Sequence, residues 1–208
     1  MPYFDFHHHH ISSSGIKDLS LFHPPIDHGF SVGIHPHELE NDINKAKQWV
    51  KELSTHPNCL AIGETGLDGI IETSFDFQKE IFQWHINLAN GLEKPIIVHC
   101  VKYFHLLPQF IKGSNAKMIV HGFRKNRILG QQLLDAGYYL SFGKPLLRDV
   151  SLQTFVSEVS MEKIFLETDD DDQTSIELIY EKVASLKNIS TKSLTEQIRK
   201  NLREINIR

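Results

Sequence analysis

The chain has 208 residues, 40% hydrophobic and 23% charged, which is ordinary for a globular protein that buries a core and suits one α/β domain spanning residues 1–208. Its formal charge of −4 excludes a basic platform that holds nucleic acid by counterion release alone, so any phosphate ligand needs bound cations or a local basic rim. Only two cysteines, Cys59 and Cys100, exclude a disulfide framework, and no stretch approaches the ~20 apolar residues of a membrane span. With no basic-then-apolar leader in residues 1–10, the expectation is a cytoplasmic protein with no membrane association and no obligate protein partner.

The 13 histidines are the compositional anomaly, and four of them run together at positions 7–10. The short apolar run before them, Tyr3-Phe4-Asp5-Phe6, reads as a first strand. Alternate side chains of an extended chain share a face, so His7 and His9 point one way while His8 and His10 point the other. Residues 11–28 carry Ser, Pro and His without a helical period and read as an extended loop. A second strand follows over 29–34, ending in His35-Pro36-His37-Glu38. Ile43, Ala46, Val50 and Leu53 then mark one apolar face of a helix.

The third strand, 59–63, runs directly into Glu64. Ile81, Trp84, Leu88 and Leu92 define the next helix, which Gly91 and Pro95 help to end. Strand 95–98 closes on His99. The alternation continues with a helix over 104–111 and strand 116–120, which ends in His121. A helix over 127–136 precedes strand 138–141. A helix over 150–159 precedes strand 163–166, which ends in Glu167-Thr168-Asp169. Two helices finish the chain, the last with Ser193 and Glu196 at capping-box spacing. Strands alternating with helices predict a parallel sheet, and the count is seven strands in a TIM-barrel-like α/β fold.

His7, His9, Glu64, His99, His121 and Asp169 each follow an apolar run. Parallel α/β folds gather strand C-termini on one face, so these groups are expected around one mouth. Four imidazoles and two carboxylates suit two divalent ions with one carboxylate bridging, and mixed N/O ligation is compatible with zinc, manganese, iron or magnesium.

These segments resemble the TatD family of metal-dependent deoxyribonucleases, within the amidohydrolase superfamily. The matching runs are Asp5-Phe6-His7-His8-His9, Gly33-Ile34-His35-Pro36-His37-Glu38, Gly63-Glu64-Thr65-Gly66-Leu67-Asp68, Pro95-Ile96-Ile97-Val98-His99-Cys100, His121-Gly122-Phe123 and Glu167-Thr168-Asp169. The resemblance implies a TIM-type barrel with His7, His9, Glu64, His99, His121 and Asp169 as metal ligands, Glu64 bridging. It also implies that Asp169 handles the proton of the attacking water, so Glu64 and Asp169 are the expected catalytic pair. The chain departs from the family in several places. Residues 11–28 are too few for the usual helix–strand–helix, so the second barrel strand is expected to be missing. Val101 followed by Lys102 replaces a family Arg, Arg124 replaces a Ser, and Asp170-Asp171 replaces Ala-Pro.

Two divalent ions would acidify a water for attack on a phosphodiester. His35, His37, Lys102, Arg124 and Lys125 are the expected rim groups for phosphates, and the substrate is expected to be DNA ends, short nucleic-acid fragments or a small phosphoester. Asp170–Asp172 would repel a long nucleic-acid backbone, against processive action. The competing readings are hydrolysis of a small amide, lactone or phosphoester by the same metals, and a non-catalytic metal-binding domain.

Overall fold

A computed structural model describes residues 3–10 and 14–207. Eight strands form one parallel sheet in sequential order: β1 (Asp5–His8), β2 (Gly15–Asp18), β3 (Phe30–Val32), β4 (Cys59–Asp68), β5 (Ile96–Val101), β6 (Met118–Val120), β7 (Tyr139–Phe142) and β8 (Ile164–Leu166). The sheet curls until its ends meet. His8 pairs with Asp169 in a parallel bridge, the Asp169 N–H donates to His7 O at 2.9 Å, and the His9 N–H donates to Asp169 O at 3.1 Å. The fold is thus the expected TIM-type barrel, with the seam closed between two of the segments expected to carry ligands.

The strand count is eight, not seven. The second strand is present as Gly15–Asp18, inside the stretch expected to be loop, while Ile11–Ser13 of that stretch lie outside the described residues. Four residues with a single fully buried apolar side chain, Ile16, carry too little periodic signal to announce a strand. Pairing creates it: Lys17 lies opposite His8 on one side and Phe30 on the other. Gly15 permits the approach to β1, because a Cβ there would fall 1.8 Å from Asp5 O. Residues 19–29 lead from β2 to β3 without a helix.

Strands covered on both faces should read as unbroken apolar runs. Ile96-Ile97-Val98, Met118-Ile119-Val120 and Ile164-Phe165-Leu166 do so, and all nine side chains are buried. The long helices α1 (Ile43–Ser54), α2 (Phe75–Leu92), α4 (Arg127–Ala136), α5 (Val150–Glu158), α6 (Ile176–Lys187) and α7 (Thr191–Glu204) occupy the expected positions. The expected helix over 104–111 resolves into a 3-10 turn and the single turn α3 (Leu107–Ile111), because Pro108 sits in its first turn. Asp42, Ser74, Asn126 and Asp149 cap α1, α2, α4 and α5 through side-chain oxygens. The last helix begins earlier than the sequence implied: Ser190 is its cap, accepting from Ser193 N, so the Ser193–Glu196 spacing falls inside the helix.

Candidate metal centre

Every strand end that was expected to carry a ligand opens onto the same mouth. Asp5 anchors the seam there: buried in β1, it accepts from Thr168 N at 2.9 Å and Thr168 Oγ1 at 2.6 Å, which fixes the residue before Asp169. Glu64 lies within β4 rather than just beyond it, at a register shift between Ile62 and Thr65 that turns its carboxylate inward. At 7% exposure that carboxylate is the hub of the site.

Its two oxygens face two different groups. Oε2 lies 3.4 Å from His7 Nε2 and 3.9 Å from His9 Nε2, and Asp169 Oδ1 lies 3.7 and 3.6 Å from the same two nitrogens. Oε1 lies 2.7 Å from His121 Nε2, 2.8 Å from His99 Nδ1 and 3.3 Å from His35 Nε2. The first set is too long for hydrogen bonds. Two donor atoms each about 2.1 Å from one ion at a tetrahedral angle stand about 3.4 Å apart, so the spacing suits a shared cation. His7 adds a second sign: it is wholly buried, and among the described residues neither ring nitrogen has a hydrogen-bond partner. The donor set therefore fits divalent ions. Groups close enough to share an ion include His7, His9 and Asp169; His7, Glu64 and His121; and His35, Glu64 and His99, so Glu64 is common to two of these three.

The electrostatics show what the pocket wants. Burial pushes the Glu64 carboxyl up, but the His121 charge and the facing imidazoles of His121, His35 and His7 outweigh it and hold the group well below the usual range. Burial likewise opposes ionisation of Asp169, yet the facing His9 imidazole and the charges of His121 and His7 bring it to about 2. His121 is disfavoured by burial but raised to about 10 by Glu64 and then Glu167 and Asp169. His7, against its burial, is raised by Glu64, and His9 is raised first by Asp169. The carboxylates are ionised and the space between them favours positive charge, which protons or metal cations supply.

Several groups that sequence reasoning passed over complete the site. Asp18, at the end of β2, accepts from Glu64 N at 2.9 Å and Ser31 Oγ at 3.1 Å through Oδ1, while Oδ2 faces His9 Nδ1 at 4.0 Å. Asp68 contacts His99 Nε2 at 3.0 Å and His37 Nε2 at 3.2 Å. Both carboxylates flank an imidazole on the side away from Glu64, the usual way a ligand ring is oriented. Asp18 was hidden because its strand was, whereas Asp68 stood in the Gly-Glu-Thr-Gly-Leu-Asp run without an assigned role. Glu167 is buried against Gly122 N, and burial, opposed by His121, raises its carboxyl.

The expected rim divides. His35 sits among the inner groups, because its Nδ1 accepts from His37 N and so aims Nε2 at Glu64. His37 is half-exposed and reaches the centre only through Asp68. Arg124 and Lys125 line a cavity of about 390 Å³ that opens beside His99, His121 and Asp169; Lys102 is not in its lining, and Lys144, which the sequence did not single out, is.

An eight-stranded parallel barrel with imidazole and carboxylate clusters at its C-terminal mouth is the architecture of a metal-dependent hydrolase. Comparison with known proteins agrees. The family model described as TatD related DNase matches residues 17–206, and the chain belongs to that family. It is 28% identical to the uncharacterized metal-dependent hydrolase YabD of Bacillus subtilis strain 168, over 85% of this chain and 77% of that protein. It is 26% identical to the 3'-5' ssDNA/RNA exonuclease TatD of Citrobacter koseri over 67% of this chain, which spans 56% of that relative's length. A TatD family hydrolase from Entamoeba histolytica has the same fold, with a TM-score of 0.79 at 15% identity, covering 98% of this chain and 97% of that one. No helix among the described residues is long and apolar enough to cross a membrane.

Proposed function

We propose that residues 1–208 act as one phosphodiesterase domain that hydrolyses DNA ends or short nucleic-acid fragments with two divalent metal ions. The observation that supports this most is the split of Glu64, with Oε2 turned to His7 and His9 and Oε1 turned to His99, His121 and His35. A carboxylate so shared is the bridge a dinuclear site requires. Bound there, two ions such as zinc, manganese or magnesium would supply an acidified water near neutral pH and neutralise charge on the phosphodiester oxygens.

The chain's own groups do the rest. Asp169 directs Oδ1 at His7 and His9 and Oδ2 toward His121 at 3.9 Å, so one oxygen remains turned toward the centre's other half. Being ionised, it can take a proton from the attacking water and deliver it to the leaving oxygen as the P–O bond breaks. Asp68, 3.0 Å from His99 Nε2, limits the geometries open to that ring, and Asp18 sets a carboxylate 4.0 Å from His9 Nδ1. Arg124 and Lys125 line the adjoining cavity and favour an anionic substrate over a neutral amide or lactone. The named activity of the Citrobacter relative is consistent with this reading.

The test is hydrolysis of a short end-labelled single-stranded DNA by metal-loaded protein, beside Asp169→Asn and Glu64→Gln, with metal content measured for each. Metal-dependent trimming by the parent, lost in both variants, is expected. Two ions bound per chain with no trimming would defeat the nuclease assignment and turn attention to small amides, lactones and phosphoesters.

A further inference from the structure

The cavity beside the centre has two chemically distinct ends. One is the mouth of the site, with His99, His121 and Asp169; the other is a wall of cations, Arg124, Lys125 and Lys144. Arg124 and Lys125 come from the loop after β6, and Lys144 opens the 3-10 turn after β7, so neighbouring strands deliver all three to one enclosure. No carboxylate pairs with Arg124 or Lys125 among the described residues; the Lys125 ammonium stands 5.5 Å over the Phe104 ring. Lys144 is different, since its Nζ is held 2.9 Å from Asp171 Oδ1, on the loop after β8. Glu167, Asp169, Asp170 and Asp171 line the same cavity, so the cations form one wall of it and do not set the sign of the whole lining.

Shape restricts what the wall can bind. A volume of about 390 Å³ matches a small-molecule site. A groove for continuous single strands would track several nucleotides and offer a series of aromatic platforms. Here Phe104 is the one Phe, Tyr or Trp ring in the lining, and Gly143–Pro145 and Asp170–Asp171 border the same space. The further phosphates of a long strand would meet Asp170 and Asp171. Charge restricts it again. An internal diester carries one negative charge, whereas a terminal phosphate carries about −1.5 to −2 near neutral pH. Two unpaired cations and a third that can exchange Asp171 for phosphate match the terminal group better.

We propose that Arg124, Lys125 and Lys144 form a subsite for a terminal phosphate monoester, so that the preferred substrate is a short oligonucleotide whose end phosphate lies next to the scissile diester. This rests on the phosphodiesterase reading above. Lys144 releases Asp171 when that phosphate arrives, and the wall then fixes the substrate's end while the diester lies at the mouth.

The decisive experiment compares kcat/KM of the metal-loaded full chain for thymidine dinucleotide bearing a 5′-phosphate, a 3′-phosphate or neither, with Lys144→Ala and Arg124→Ala alongside. One phosphorylated form should be preferred by about tenfold or more, as expected for charge-assisted hydrogen bonds. That preference should shrink in both variants, chiefly through KM. Equal kcat/KM for all three dinucleotides overturns the subsite while leaving the nuclease reading intact, and so does a preference undiminished in both variants. If none is hydrolysed, the nuclease reading is what has failed. Calorimetric binding of the same three compounds to the metal-loaded protein then decides the subsite, and equal affinities overturn it.

Discussion

Acidification should destabilise this protein through one histidine that is not in the metal centre. His85, on α2, is 0% exposed; its Nδ1 lies 2.8 Å from Ile81 O, and its Nε2 accepts the Ile34 N–H at 3.1 Å. Those partners require the neutral ring with the proton on Nδ1. A second proton on Nε2 would face the Ile34 N–H, one residue before His35. Burial, opposed by the Ile81 hydrogen bond, lowers the group from 6.5 to about 4. Because the folded value lies below the unfolded one, the unfolded chain binds the proton more readily. Stability is therefore intact above pH 6.5 and falls as pH drops toward 4. The full difference of about 2.5 units corresponds to about 3 kcal/mol, of which about 2 kcal/mol is gone by pH 5. Urea unfolding at pH 7, 6 and 5 of the parent and His85→Gln isolates this contribution, since every other titrating group is common to both. The parent should lose about 2 kcal/mol more than the variant between pH 7 and 5. Parallel stability curves for the two proteins would refute the reasoning.

Other expectations concern the centre and its frame. Asp18→Asn keeps an acceptor for the Glu64 N–H but removes the charge facing His9, so divalent-metal affinity should drop about 10–100-fold in a direct titration; unchanged affinity would deny Asp18 a role. Metal uptake should release protons, because His7, His9 and His121 are all raised, His121 to about 10. Affinity should consequently rise with pH, and calorimetry in buffers of different ionisation enthalpy would contradict this if the heats were identical. Gly15→Ala drives a Cβ into Asp5 O at the β1–β2 junction. It should cost at least about 1–3 kcal/mol in thermal or urea unfolding, and a neutral result would mean that β2 is not paired as described.

The candidate ligand positions could be read without the fold because of one regularity. His99, His121 and Asp169 each close an apolar run, and a parallel sheet must gather such ends on one face whatever the details of its curvature. His7 and His9 followed from strand alternation, which also separates them from His8 and His10. The barrel type was legible as a rhythm of apolar runs and helical faces, though the expectation was an open or seven-stranded barrel and the structure closes eight strands.

What only the tertiary structure decided are the features created by proximity. β2 has almost no pattern of its own and exists because β1 and β3 flank it, so Asp18 could not be placed against Glu64 and His9 until the strand was. Glu64 was expected after a strand and instead lies at a bulge within one, which is what divides its oxygens between two groups of imidazoles. His35 was expected on the rim, but a hydrogen bond from His37 N to its Nδ1 turns it inward. Lys144 and Asp171 are 27 positions apart and meet only because β7 and β8 are neighbours in the barrel. Local sequence carries periodicity and strand ends; side-chain direction and cross-strand partnership arise only when the sheet has closed.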